Sequence, residues 1–206
     1  MRPIYLAALF FSLLLAPTGV AQTPAQIAGS WYAETRSEGV VGILFEFTPD
    51  GKFRYSLGAI SEYRYRFEGG KLIINLLDPL RGPQPDEVFV ARIADGKLAM
   101  ANVAQQMVLY YSRAGQPEAG ENSIVGFWTR MEEMNGTSHP SNRRFRKDGT
   151  AVFTVPFGWR SGVYTITGDQ IRLTLDGKLP ITGPWRWEGS VLILPAAQGP
   201  SRFHRL

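Results

Sequence analysis

The chain has 206 residues, 44% of them hydrophobic and 19% charged, a globular composition rather than a disordered one. Its net charge is +4, and basic residues are interspersed with acidic ones, as at Arg143-Arg144 ahead of Asp148, so no nucleic-acid-binding stripe is indicated. Cysteine is absent, which excludes disulfides, thiolate metal sites, a cysteine nucleophile and a lipid-bearing cysteine.

The first predicted element is an export signal. Arg2 supplies a positive start, and Ile4 to Ala16 is a mostly apolar run too short to span a bilayer comfortably. Pro17 and Gly19 break it, and Gly19-Val20-Ala21 sets small residues at the two positions that define a cleavage site. Residues 1–21 are expected to be a signal peptide, with the mature chain starting at Gln22, exported to the periplasm or secreted, and without a stable membrane anchor after cleavage. The competing reading is an uncleaved anchor. One helical turn is expected at Pro24 to Ile27, and no amphipathic helix follows it.

From Gly29 onward the pattern is alternation with a period of two. Phe45-Glu46-Phe47, Lys52 to Leu57 and Tyr63-Arg64-Tyr65-Arg66-Phe67 alternate apolar with polar residues, which puts one face on a core and the other in water. Strands are predicted to begin near Gly29, Ile43, Lys52, Glu62, Lys71, Glu87, Lys97 and Gln106. Asp50-Gly51 and Asp95-Gly96 fall between them, where tight hairpins need positive φ. Residues 114–122 are polar, contain Gly and Pro and lack apolar periodicity, as a linker does.

After the linker the chain repeats itself. Ile27-Ala28-Gly29-Ser30-Trp31 returns as Ile124-Val125-Gly126-Phe127-Trp128, 97 positions later. The turn Asp50-Gly51 returns as Asp148-Gly149, offset by 98, and the turn before Leu72 returns before Ile171, offset by 99. Both copies end on an aromatic followed by Arg, at Arg113 and Arg205. Further turns are expected at Gly168-Asp169 and Asp176-Gly177, and strand alternation at Gln170 to Leu175. A period this long suits two small domains rather than a solenoid. The expected fold is all-β: two tandem antiparallel meanders of about eight strands, each closing into a barrel to remove its edges. The domains would be 22–113 and 123–206, joined by 114–122. One larger closed sheet is the architectural alternative.

The Gly-x-Trp that opens each copy (Gly29-Ser30-Trp31 and Gly126-Phe127-Trp128), the meander and the late Arg resemble the lipocalin-like proteins of the calycin type, and most closely their short bacterial repeats. The resemblance implies that Gly29, Trp31 and Arg113, and Gly126, Trp128 and Arg205, build barrel floors, each Trp closing a floor with an Arg over its ring.

The resemblance also implies a small apolar ligand inside a barrel. Candidate lining residues are Phe45, Phe47, Tyr55 and Tyr65 in the first copy and Phe153 and Tyr164 in the second, which equally suit a filled core. Residues 132–142 read as a loop at a barrel's open end, where Glu132, Glu133 and His139 form a weak metal constellation; no metal, cofactor or catalytic residue is assigned. Catalytic motifs such as Gly-x-Ser-x-Gly and His-Glu-x-x-His are absent. The expected function is binding, without enzyme activity. The runner-up is a solid-cored module that docks another envelope protein, with Phe157-Gly158-Trp159 as a candidate patch, and a hydrolytic enzyme is the third class.

Overall fold

The structure, a computed structural model, describes residues 24–37, 40–77, 82, 84–102, 104–134 and 136–206, with Pro24 and Met134 described by their backbone alone. The expected signal peptide lies outside the described residues. Pro24–Ile27 forms the one expected turn, a 3-10 turn. The first half of the chain then contributes β1 (Gly29–Ser37), β2 (Val41–Phe47), β3 (Lys52–Glu68), β4 (Lys71–Leu77), β5 (Glu87–Ala94), β6 (Lys97–Asn102) and β7 (Met107–Ala114). The second half contributes β8 (Gly126–Met134), β9 (Thr137–Phe145), β10 (Thr150–Pro156), β11 (Arg160–Thr167), β12 (Gln170–Leu175), β13 (Ile181–Pro184), β14 (Arg186–Glu188), β15 (Val191–Leu194) and β16 (Ser201–Arg205).

The expected Asp-Gly turns form as read. Gly51, Gly96, Gly149 and Gly177 all sit at positive φ between strands, and Asp95 joins Gly96 there at φ 50°. The strands expected to start at Lys52 and Glu62 are instead one strand of 17 residues. Gly58 lies mid-strand for a different reason: a Cβ there would come within 2.6 Å of Leu44 Cδ1 and of the Val155 carbonyl oxygen.

That long strand organises the molecule. Its second part pairs with β4 on one edge, Glu62 to Glu68 against Leu77 to Lys71. On the other edge Gly58 to Arg64 pairs with β10, Pro156 to Thr150. Since β4 to β10 pair in sequence order, the β3–β10 contact closes an eight-stranded antiparallel barrel, β3 through β10. The first part of β3 pairs with β2 and with β11. From there β2, β1, β16, β15 and β14 extend one way, and β11, β12 and β13 the other, as a second curled layer of the same sheet. β13 and β14 are joined through Trp185, whose backbone N–H donates to the Asp169 carbonyl.

This corrects the expectation of two barrels confined to 22–113 and 123–206. The closed barrel runs from Lys52 to Pro156, straight across residues 114–122, and among the described residues no second tandem barrel of the expected kind is seen. Period-two alternation fixes which face of a strand turns inward, but it does not say which strand lies alongside.

The cores follow the pairing. One cluster joins Trp31, Phe45, Phe47 and Phe53 to Ile171, Leu192 and Phe203. The other joins Leu72, Phe89, Leu98 and Tyr111 to Trp128 and Phe145. Each takes side chains from both halves. A smaller cluster of Tyr32, Leu44, Ile60 and Val152 sits beside the crossing strand.

Candidate functional site

The barrel has a floor. Trp128 on β8 is fully buried, and its Nε1–H donates to the Ile124 carbonyl at 2.7 Å. The Arg113 guanidinium, from the neighbouring β7, lies 4.2 Å from the Trp128 ring centroid. Its N–H groups donate to the carbonyls of Val125 (3.1 Å), Glu121 (3.0 Å) and Ser123 (2.7 Å), so the segment read as a linker is pinned beneath the floor. Gly126 makes the approach possible: its φ is +138°, and a Cβ would meet Arg113 Nη1 at 3.0 Å.

The second layer repeats the device. Trp31 Nε1 donates to the Ile27 carbonyl at 2.9 Å, Arg205 stacks at 5.3 Å, and Gly29 at φ +134° leaves room for Arg205. In both cases the Trp and its Arg come from different halves of the chain. The expectation of a separate Trp–Arg floor within each copy is thereby corrected: Arg113 serves Trp128, and Arg205 serves Trp31.

Above the barrel floor the interior is charged. By alternation from Trp128, Arg130 and Glu132 share its inward face, and Ser141 and Arg143 share the face of buried Phe145. Arg143 stands directly opposite Trp128 across the β8–β9 pair. Its Nε donates to the Tyr111 hydroxyl at 2.7 Å, and its guanidinium lies 5.3 Å from the Tyr111 ring and 4.6 Å from the Phe153 ring. Arg130 donates through Nη2 to Glu132 Oε2 at 2.5 Å, and Ser141, fully buried, donates to Glu132 Oε1 at 3.1 Å. Arg130 Nε is buried without a hydrogen-bond partner. Among the described residues no carboxylate pairs with Arg143. Burial pushes the nearby Tyr63 hydroxyl above its ordinary pKa, against the opposing pull of the Arg143 charge.

No family model, curated protein or solved structure matches the chain. The site therefore rests on its own geometry. The second layer supplies an internal comparison, because Trp31 faces Phe45 where Trp128 faces Arg143. One interior is aromatic at this position and the other is cationic.

The six candidate lining residues are not brought together. Phe45, Phe47, Tyr55 and Tyr164 belong to the second layer's core, with ring centroids 5.5 Å apart for Phe45–Tyr55 and 5.0 Å for Phe47–Tyr164. Tyr65 packs edge-on to Phe145 at 5.0 Å and donates its hydroxyl proton to the Arg146 carbonyl. Only Phe153 touches the charged cluster.

The expected open loop at 132–142 is instead strand on both sides of one turn, β8 and β9, with Glu132 opposite His139. Among the described residues no three His, Asp or Glu side chains converge as metal donors. Arg130, Ser141 and Arg143 were missed because breaking the strands at 132 hides the phase that turns them inward. Carrying the alternation on from Trp128 and back from Phe145 finds all three.

Proposed function

We propose that the protein is an exported binding protein whose closed barrel receives one small amphipathic molecule. The observation that carries this reading is the cluster of Arg130, Glu132, Ser141 and Arg143 on the inward face of the barrel, in a position the second layer fills with Phe45. Charge in a barrel interior is a cost to folding unless it is fully paired, and the Arg130 and Arg143 guanidinium groups retain donors without partners among the described residues. Aromatic neighbours Phe153 and Tyr111 offer apolar surface beside those donors. Export is proposed from the apolar run Ile4 to Ala16 and its small-residue cleavage pattern. Among the described residues no helix is long and apolar enough to cross a membrane.

The test is a titration with the neutral probe N-phenyl-1-naphthylamine, followed by amide NMR and Trp fluorescence. Saturable binding of one probe, with shifts concentrated at Trp128, Arg130 and Arg143, is expected. No saturable binding and an unchanged melting temperature overturn the reading.

A second reading, a docking module, is favoured by the barrel's outer wall. Val90, Ala101 and Val108 stand in one row across β5, β6 and β7, and Arg92, Ala99 and Tyr110 in the next. Val88, Val90, Val108, Tyr110 and the neighbouring Met131 are all well exposed. On the second layer the corresponding face carries ion pairs, Arg202 with Glu34 at 2.9 Å and Arg186 with Glu188 at 2.7 Å. The expected patch at Phe157–Trp159 divides differently: Phe157 is exposed, while Trp159 packs on the central cluster under Arg54. Probe-induced shifts confined to Val88, Val90, Val108 and Tyr110 would favour docking over internal binding.

A further inference from the structure

We infer that the molecule bound in the barrel carries a single negative charge, a carboxylate, seated against the Arg143 guanidinium. This rests on the binding reading and specifies its ligand class. Of the two interior guanidinium groups, Arg130 is ion-paired with Glu132, whereas Arg143 makes no ion pair among the described residues; Glu87, on the inward face opposite buried Ile74, is a second carboxylate that does not contact it. Glu132 is already engaged, accepting from Arg130 and from Ser141. Arg143 has one nitrogen, Nε, committed to the Tyr111 hydroxyl, which leaves its Nη groups to present a planar fork. A carboxylate matches that fork with two parallel charge-assisted hydrogen bonds.

The aromatic surroundings keep the fork in place. Tyr111 and Phe153 hold the guanidinium plane from two strands, and the Tyr111 hydroxyl fixes its rotation. Glu132 and Glu87 select against a doubly charged head group, because a dianion would lie near two fixed carboxylates with one unpaired guanidinium to receive it. A neutral head group would leave the Arg143 Nη donors without a charged partner in contact. At the equivalent place in the second layer, opposite Trp31, Phe45 offers no such partner, so the specificity belongs to the closed barrel alone.

The experiment compares decanoate, decan-1-ol and dodecyl phosphate by isothermal titration with the full chain, in the wild type and in Arg143→Gln and Arg143→Lys. Decanoate is expected to bind at least about tenfold more tightly than decan-1-ol, and more tightly than dodecyl phosphate. Arg143→Gln should weaken decanoate at least about tenfold and abolish its preference over decan-1-ol, and Arg143→Lys, which keeps the charge without the fork, should retain part of that preference. The wild-type comparison stands even if a variant fails to fold. Equal wild-type affinity for decanoate and decan-1-ol overturns the carboxylate assignment but leaves internal binding intact. Preference for the phosphate overturns it as well. Equal loss of every ligand in the variants makes Arg143 structural and overturns the assignment. No binding of any of the three removes the binding reading itself.

Discussion

At Gly126 a methyl group would have to share space with the guanidinium that closes the barrel floor, on a backbone at φ +138°. Gly126→Ala is expected to cost about 1–3 kcal/mol from backbone strain and the displaced contact. Arg113→Ala should cost a similar amount, about 1–3 kcal/mol, by releasing three carbonyl partners and the Trp128 ring. Urea unfolding followed by Trp fluorescence checks both, and losses under 0.5 kcal/mol, about the noise of a surface substitution, would contradict the role given to the floor. Tyr32 gives a pH handle on the same scale. Burial, reinforced by the charge of Glu62, raises its hydroxyl from 10 to about 12 against the opposing pull of Arg146. Because the folded pKa lies above the unfolded one, the stabilisation is complete below pH 10 and is lost as pH rises toward 12, about 2–3 kcal/mol in all. Unfolding free energies measured from pH 9 to pH 12 should fall less steeply in Tyr32→Phe than in the wild type; identical slopes would show that Tyr32 titrates normally. The glycine–tryptophan pairs were legible in the sequence because their geometry is local, each indole bonding a carbonyl four residues back. Which arginine covers which tryptophan was not, since Arg113 and Arg205 reach their rings only through strand neighbours from the other half.

Among the elements, β3 does the most to shape the molecule. Its odd-numbered side chains enter two cores in turn, Phe53 and Tyr55 in the second layer, then Tyr63, Tyr65 and Phe67 in the barrel. Gly58 marks the changeover, and Gly58→Val should cost about 1–3 kcal/mol by forcing Leu44 and β10 away from the strand. Thermal melts read this directly, and a wild-type melting temperature would mean that the crossing tolerates bulk. The hairpin turns were legible because Asp-Gly pairs state a local backbone requirement. The continuity of β3 was not, because a glycine chosen for close approach reads the same as one chosen for a turn. The same ambiguity, in polar form, made β8 and β9 read as a loop: inward Arg and Glu look like solvent-facing residues until the strand phase is known.

On the scale of the whole molecule, the order of strands around the sheet decides what can be separated. Cleavage at a protease site placed at Pro117 should leave the two halves associated and unfolding in one transition, since β3 with β10 and β11, β7 with β8 and β1 with β16 all join one half to the other. Two fragments that part on gel filtration without denaturant would refute this pairing. The all-β class was legible from alternation, but among the described residues the halves hold seven and nine strands where eight each were expected, and the exchange was not legible, because no local signal distinguishes a strand's own half from its repeat. The exchange also bears on how the chain reaches its native state. When only residues up to Ala114 have emerged, β3 has no β10 to close against, β7 no β8 and β1 no β16, so the first half must wait, with three open strand edges, for residues still being made or threaded. The missing strands can be lent by a neighbouring molecule as readily as by the chain's own remainder, so refolding at rising concentration should divert an increasing share into reciprocal dimers, and shortening the stretch beneath the Trp128 floor should increase it further.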